Sequence, residues 1–173
     1  MIILDDYLNI EDFNHIRNYL KSDRVNWSKV PKVLGDDSEY NYQYTFMVYN
    51  DLVPYSPLFN TLFCIFRKLN IVALTRIKVN KEPLYPERHY GSYHYDWNSP
   101  RGTHENPIGL PHMKTGILYL NTCDGYTEFE DGKKVNSVAN RYIEFASNIL
   151  HRGVSQTDTE CRFVMNFNYF TEN

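Results

Sequence analysis

The chain has 173 residues, enough to bury a core without disulfide staples, and its three cysteines, Cys64, Cys123 and Cys161, show no C-x-x-C spacing, so neither a disulfide framework nor a cysteine zinc site is indicated. Eighteen basic against twenty-one acidic residues give a formal charge of −3, which offers no broad footprint for a phosphate backbone. With neither a basic leader nor an apolar run of bilayer-spanning length, the expectation is a cytoplasmic protein with no membrane or nucleic-acid partner.

The elements are predicted in chain order as follows. A short apolar strand at Ile2 to Leu4 leads to Asn9, which can cap a helix whose apolar positions Ile10, Phe13, Ile16 and Leu20 follow the helical period, with His15 facing solvent. Lys32 to Glu39, with Gly35, reads as a turn or loop, and the aromatic-rich alternation of Tyr40 to Tyr49 as a strand. A second helix is predicted after Pro57, where Leu58, Leu62, Ile65, Phe66 and Leu69 form an apolar stripe. Serial strands then follow at Ile71 to Asn80, His89 to Trp97, Met113 to Thr122, Tyr126 to Glu130, Lys134 to Val138, Tyr142 to Ala146 and Cys161 to Phe170, with Asp131-Gly132 as a hairpin turn. Fifteen tyrosines and ten phenylalanines suit such half-buried pleated surfaces. The pattern predicts a mainly β fold of sandwich or barrel type, the jelly roll among them. The longest irregular stretch, Asn98 to His112, follows directly after the first candidate site residues.

Those residues are His94 and Asp96. Side chains two apart on a strand point to one face, so an imidazole and a carboxylate can converge on one cation. A third donor must come from elsewhere, and His151, after the strand ending at Ala146 and before Gly153, lies where it could project into a barrel mouth. Two histidines and one carboxylate form the facial triad of non-haem iron(II) oxygenases, although zinc hydrolases use the same set. Arg162, eleven residues beyond His151, bears on that choice, because an arginine inside a β fold requires a carboxylate partner and can bind one through its two-pronged edge. On the last strand, Arg162, Val164, Asn166 and Asn168 share one face and Phe163, Met165, Phe167 and Tyr169 the other, so the polar face should line a cavity.

The run Lys114-Thr-Gly-Ile-Leu-Tyr119-Leu-Asn121, then Gly125-Tyr-Thr-Glu-Phe-Glu-Asp-Gly132, then His151 and Arg162 in the strand ending Asn166-Phe-Asn-Tyr-Phe170, resembles the catalytic core of the 2-oxoglutarate- and iron(II)-dependent oxygenases. The likeness is to the prolyl-4-hydroxylase-like branch, in particular to small bacteriophage members, and covers roughly residues 71 to 170. It implies a double-stranded β-helix (jelly-roll, cupin-like) core over 71–170, with 1–70 as a helix-and-strand support carrying two helices, all in a single domain. It further implies His94, Asp96 and His151 as iron ligands, and Arg162 with Tyr119 as the groups holding the distal carboxylate of 2-oxoglutarate. Fe(II), 2-oxoglutarate and O2 are then required, with ascorbate as reductant, and the products are succinate, CO2 and a hydroxylated substrate.

A peptidyl residue, proline first, is the expected target, and a peptide or protein the expected partner; a free amino acid or other small molecule, and a non-catalytic binding module, are the alternatives. If the chain is virally encoded, the host cytoplasm is its place. The base-demethylating branch of the superfamily carries a second arginine six residues after the first, where this chain has Asn168, so alkylated bases are disfavoured. Further candidates for the cavity or substrate are Asn80, Asn166, Tyr93, Trp97 and Arg101, with Tyr95 beside them.

Overall fold

A computed structural model describes residues 1–31, 42–97, 110 and 112–172. In chain order the elements are β1 (Ile2–Leu4), α1 (Ile10–Lys21), β2 (Ser28–Pro31), β3 (Tyr42–Asn50), β4 (Val53–Pro54), a 3-10 turn (Pro57–Leu62), α2 (Phe63–Leu69), β5 (Ile71–Pro83), β6 (Met113–Tyr119), β7 (Tyr126–Phe129), β8 (Lys134–Asn136), β9 (Tyr142–Ala146), β10 (His151–Val154) and β11 (Cys161–Thr171). The cap expected at Asn9 is present, its side chain accepting from the Asp12 N–H at 2.9 Å. The segment after Pro57 begins as a 3-10 turn capped by Ser56 and becomes α-helical only at Phe63, ending where Asn70 takes the left-handed conformation.

Among the described residues all strand pairings are antiparallel and form two sheets. The major sheet runs β1-β9-β6-β11-β5-β3-β2, with β4 paired to β3, and the minor sheet runs β10-β7-β8. The β7–β8 hairpin turns at Asp131-Gly132 as expected, with Gly132 at φ +83° and the Asp131 carboxylate accepting from the Lys133 N–H.

Alternation along the strands explains why the molecule has two apolar layers. On the outer face of the major sheet, Val48, Ile77, Val79, Met165, Phe167 and Leu118 meet Phe13, Ile16 and Leu20 of α1 and Leu58, Leu62 and Ile65 of the second helical segment. Side chains of this size contribute roughly 1.5–3 kcal/mol each when fully buried, so the helices are held by this face rather than by their intrinsic propensity. Between the sheets lies a smaller apolar cluster of Ile117, Tyr119, Ile143, Phe145 and Val164 from the major sheet with Phe129 and Val135 from the minor one. The rest of the space between the sheets is a polar-lined cavity of about 310 Å³.

The predicted strand from His89 to Trp97 is not formed. This segment runs antiparallel to β10 and makes only two isolated bridges, Tyr90 to Val154 and His94 to His151. The close approach is possible because Gly91 faces Gly153, where a Cβ on Gly91 would stand 3.1 Å from the Gly153 carbonyl. No helix among the described residues is long and apolar enough to cross a membrane.

Candidate metal centre

The His94–His151 bridge is the foundation of the site. Each residue donates its backbone N–H to the other's carbonyl, at 2.9 and 3.1 Å, which sets the two imidazoles side by side with ring centroids 4.7 Å apart. The Nδ1 of His94 lies 3.0 Å from the Ser92 carbonyl and that of His151 2.9 Å from the Ile149 carbonyl. A carbonyl can only accept, so each Nδ1 carries the proton and each Nε2 is left with a lone pair for a cation. Asp96, two residues on from His94, completes a set of three donor atoms lying within 4.8 Å of one another.

The environment of these donors fits a bound cation. The second carboxylate oxygen of Asp96, Oδ2, is buried without a hydrogen-bond partner and stands 3.9 Å from His151 Nε2. A bare carboxylate oxygen in a protein interior is unfavourable unless something positive completes it. Burial against Phe145 and Phe129 pulls the His151 pKa down; Asp96 and the Ile149 carbonyl oppose this while His94 adds to it, and the net shift keeps the ring neutral as a ligand must be. For Asp96, burial pushes the carboxyl up, but His151, Arg76, His94 and the Thr115 hydroxyl together hold it below the usual carboxylate range.

Arg76, which sequence reasoning did not single out, fixes the other oxygen of Asp96 at 3.0 Å. Its Nε donates to the Asn168 side chain at 2.9 Å, and the Asn168 amide in turn donates to Thr115 Oγ1 at 3.1 Å, so a polar ladder across β5, β11 and β6 holds the guanidinium in place. Asn168 thus serves to orient an arginine on the neighbouring strand.

Arg162 points inward as expected, 2% exposed, and lines the cavity. The carboxylate that its burial demands is supplied by the protein itself: Glu82, directly opposite in register on β5, accepts from Nη1 at 2.8 Å. Nη2 reaches Thr127 Oγ1 at 3.3 Å, and Nε is buried with no partner, so the guanidinium retains capacity for an added anion. Tyr119 lies against it, with the Arg162 Cζ 5.7 Å from its ring centroid. The Tyr119 hydroxyl is fully buried and donates to Thr127 Oγ1 at 2.8 Å, so it meets Arg162 through a shared threonine.

Asn80 and Asn166 both line the cavity, and the Oδ1 atom of each is buried without a partner. Tyr95 lines it as well. Tyr93 is turned toward Arg152 of the minor sheet, whose Cζ lies 4.5 Å from its ring, and neither it nor Trp97 is a lining residue. Arg101 lies outside the described residues. The groups that sequence reasoning missed, Arg76, Lys78 and Glu82, form with Asn80 a single period-two row on β5 that faces the cavity. Burial lowers the pKa of the Lys78 ammonium, Arg76 adds to the effect, and Asp96 opposes it.

The two sheets and their helical support form a double-stranded β-helix, with the His-Asp-His cluster between the sheets. Several solved structures share this fold at low sequence identity. The 2-oxoglutarate complex of a viral collagen prolyl hydroxylase from Paramecium Bursaria Chlorella virus-1 matches with a TM-score of 0.61 and 13% identity, over 99% of this chain and 96% of that one. HygX from Streptomyces hygroscopicus, with nickel and 2-oxoglutarate bound, matches at 0.63 and 12%, over 98% and 82%. A prolyl hydroxylase from Trichoplax adhaerens, in complex with a peptide fragment of hypoxia inducible factor, matches at 0.58 and 15%, over 98% and 82%. No protein-family model matches the chain, and no curated protein matches it in sequence.

Proposed function

We propose that this protein is a 2-oxoglutarate- and Fe(II)-dependent dioxygenase that hydroxylates a peptidyl residue, with proline the first residue to test. The observation that carries the reading is the convergence of His94, Asp96 and His151 within 4.8 Å around a buried, unpartnered carboxylate oxygen, in a cavity that also contains Arg162. Two histidines and one carboxylate leave coordination positions open, which a structural zinc site would fill with protein ligands.

In this reading the two Nε2 atoms and Asp96 hold the metal, and the Ser92 and Ile149 carbonyls keep both rings in the tautomer that binds it. Arg76 prevents Asp96 from swinging away. Arg162 takes the distal carboxylate of 2-oxoglutarate, with Tyr119 supporting it through Thr127. Iron, 2-oxoglutarate and O2 supply the oxidising power, with succinate and CO2 as co-products and ascorbate as a reductant that keeps the metal ferrous. Phe129 and Phe145 keep water from His151.

A peptide target draws support from the prolyl hydroxylases among the structural neighbours, one of them viral and one bound to a peptide. The bacteriophage kinship and a cytoplasmic location belong to the same proposal and rest on the sequence motifs. A small-molecule target is the second reading, favoured by the limited cavity of about 310 Å³. The test is conversion of labelled 2-oxoglutarate to succinate by protein supplied with Fe(II) and ascorbate, with and without a peptide pool. Turnover well above that of a His94→Ala variant is expected; no difference between the two would leave a non-catalytic binding module.

A further inference from the structure

Among the described residues lining the cavity, one cation is not used by this reading. Arg76 is paired with Asp96 and Arg162 with Glu82, at 3.0 and 2.8 Å. Lys78 stands between these pairs on the same face of β5 and lines the same cavity, and no described residue forms an ion pair or hydrogen bond with its ammonium. Successive same-face residues on a strand are about 6.5–7 Å apart, so Lys78 lies one such step from the arginine that holds Asp96.

Its neighbours are also incomplete. Asn166 is directly opposite Lys78 in register, Asn80 is the next residue on the same face, and the Oδ1 of each is buried without a partner. Leaving buried amides so is unfavourable, and either can turn to present its NH2. Three adjacent polar groups of this kind facing one cavity form a place that a ligand completes. The co-substrate does not account for them, because in the oxygenase reading one of its two carboxylates goes to Arg162 and the other to the metal.

We infer that Lys78, flanked by Asn80 and Asn166, binds a carboxylate of the substrate, so that the substrate is an acid. The carboxylate can come from an acidic side chain beside the hydroxylated residue of a peptide or from a free small molecule. This inference rests on the oxygenase reading, and its test separates the two.

The protein is loaded with Mn(II) and saturating 2-oxoglutarate, and the paramagnetic broadening of probe protons is followed by NMR, which reads binding near the metal without turnover. One probe pair is an acetylated, amidated alanyl-prolyl-aspartate peptide and its asparagine counterpart; the other is free proline and prolinamide. In at least one pair the acid binds at least tenfold more tightly than its neutral partner, as a charge-assisted contact in a shielded site predicts. Which pair shows the preference identifies the source of the carboxylate. The preference disappears in Lys78→Met and is retained in Lys78→Arg. The absence of any acid preference in wild type, or its persistence in Lys78→Met, overturns the assignment. Loss of 2-oxoglutarate binding in Lys78→Met also overturns it, because Lys78 would then serve the co-substrate. Failure of the Mn(II)-loaded wild type to bind 2-oxoglutarate sinks the oxygenase reading itself.

Discussion

In the oxygenase reading, a dicarboxylate co-substrate would seek the guanidinium of Arg162, which Glu82 already holds. In the structure Glu82 occupies Nη1 and leaves Nε open, so an incoming carboxylate must share the arginine with an existing anion. Two consequences of opposite sign follow for Glu82→Gln. Removing the competing charge should tighten 2-oxoglutarate binding by about tenfold, the equivalent of one charge-assisted hydrogen bond of roughly 1.5 kcal/mol. The same change leaves a buried arginine without its anion and should lower the melting temperature of the ligand-free protein. Calorimetric titration of 2-oxoglutarate and a thermal melt measure the two effects, and unchanged affinity would mean that Glu82 and the co-substrate do not compete. Arg162→Ala should raise the Michaelis constant for 2-oxoglutarate at least tenfold, by the same estimate of contact strength; an unchanged constant would remove Arg162 from its assigned role.

At the scale of elements, the loop entering β7 packs directly against the arginine. A Cβ on Gly125 would stand 2.7 Å from Arg162 Cδ and 3.0 Å from the Val154 carbonyl. Gly125→Ala should therefore displace the buried Arg162 side chain and weaken 2-oxoglutarate several-fold while metal affinity is preserved, because no metal donor touches this loop; equal losses of both would point to a general loosening of the minor sheet. The last strand was legible in the sequence because Arg162, Asn166 and Asn168 fall on one face and Phe163, Met165, Phe167 and Tyr169 on the other, with Val164 the one apolar residue on the polar side. The opposing row on β5 alternates just as regularly, Arg76, Lys78, Asn80 and Glu82 against Ile77 and Val79, yet a polar row reads the same whether it faces solvent or a cavity. Only closure of the minor sheet over it decides, and that is a long-range property. The segment 89–97 was misread as a strand because its aromatic alternation is sound, while its partner β10 is only four residues long and offers two bridges. The triad was legible through its residue types and order; the carbonyls that orient its rings carry no side-chain signal.

For the molecule as a whole, the buried imidazole ties stability to pH. Burial keeps the His151 pKa below its ordinary value of about 6.5, so between the two values the unfolded chain takes up a proton that the native chain does not. The contribution is intact above about pH 6.5 and is lost as the pH falls toward the native value; Asp96, also depressed, adds a loss in the same direction at lower pH. Chelator-treated protein should therefore melt at progressively lower temperature from pH 7 to pH 5, and a His151→Asn variant should show a flatter profile. Identical slopes would place the responsible group elsewhere.

The polar bridges described above have a mechanical side as well. Asp96 travels with the minor sheet and Arg76 belongs to the major one; Thr127 and Arg162 repeat the arrangement at the other end of the cavity. Two arginines thus act as struts that hold the layers a set distance apart where no apolar filling does so. Shortening either strut to lysine would narrow or tilt the gap while leaving the charge across it unchanged, so the spacing of the layers is set by the reach of these two side chains.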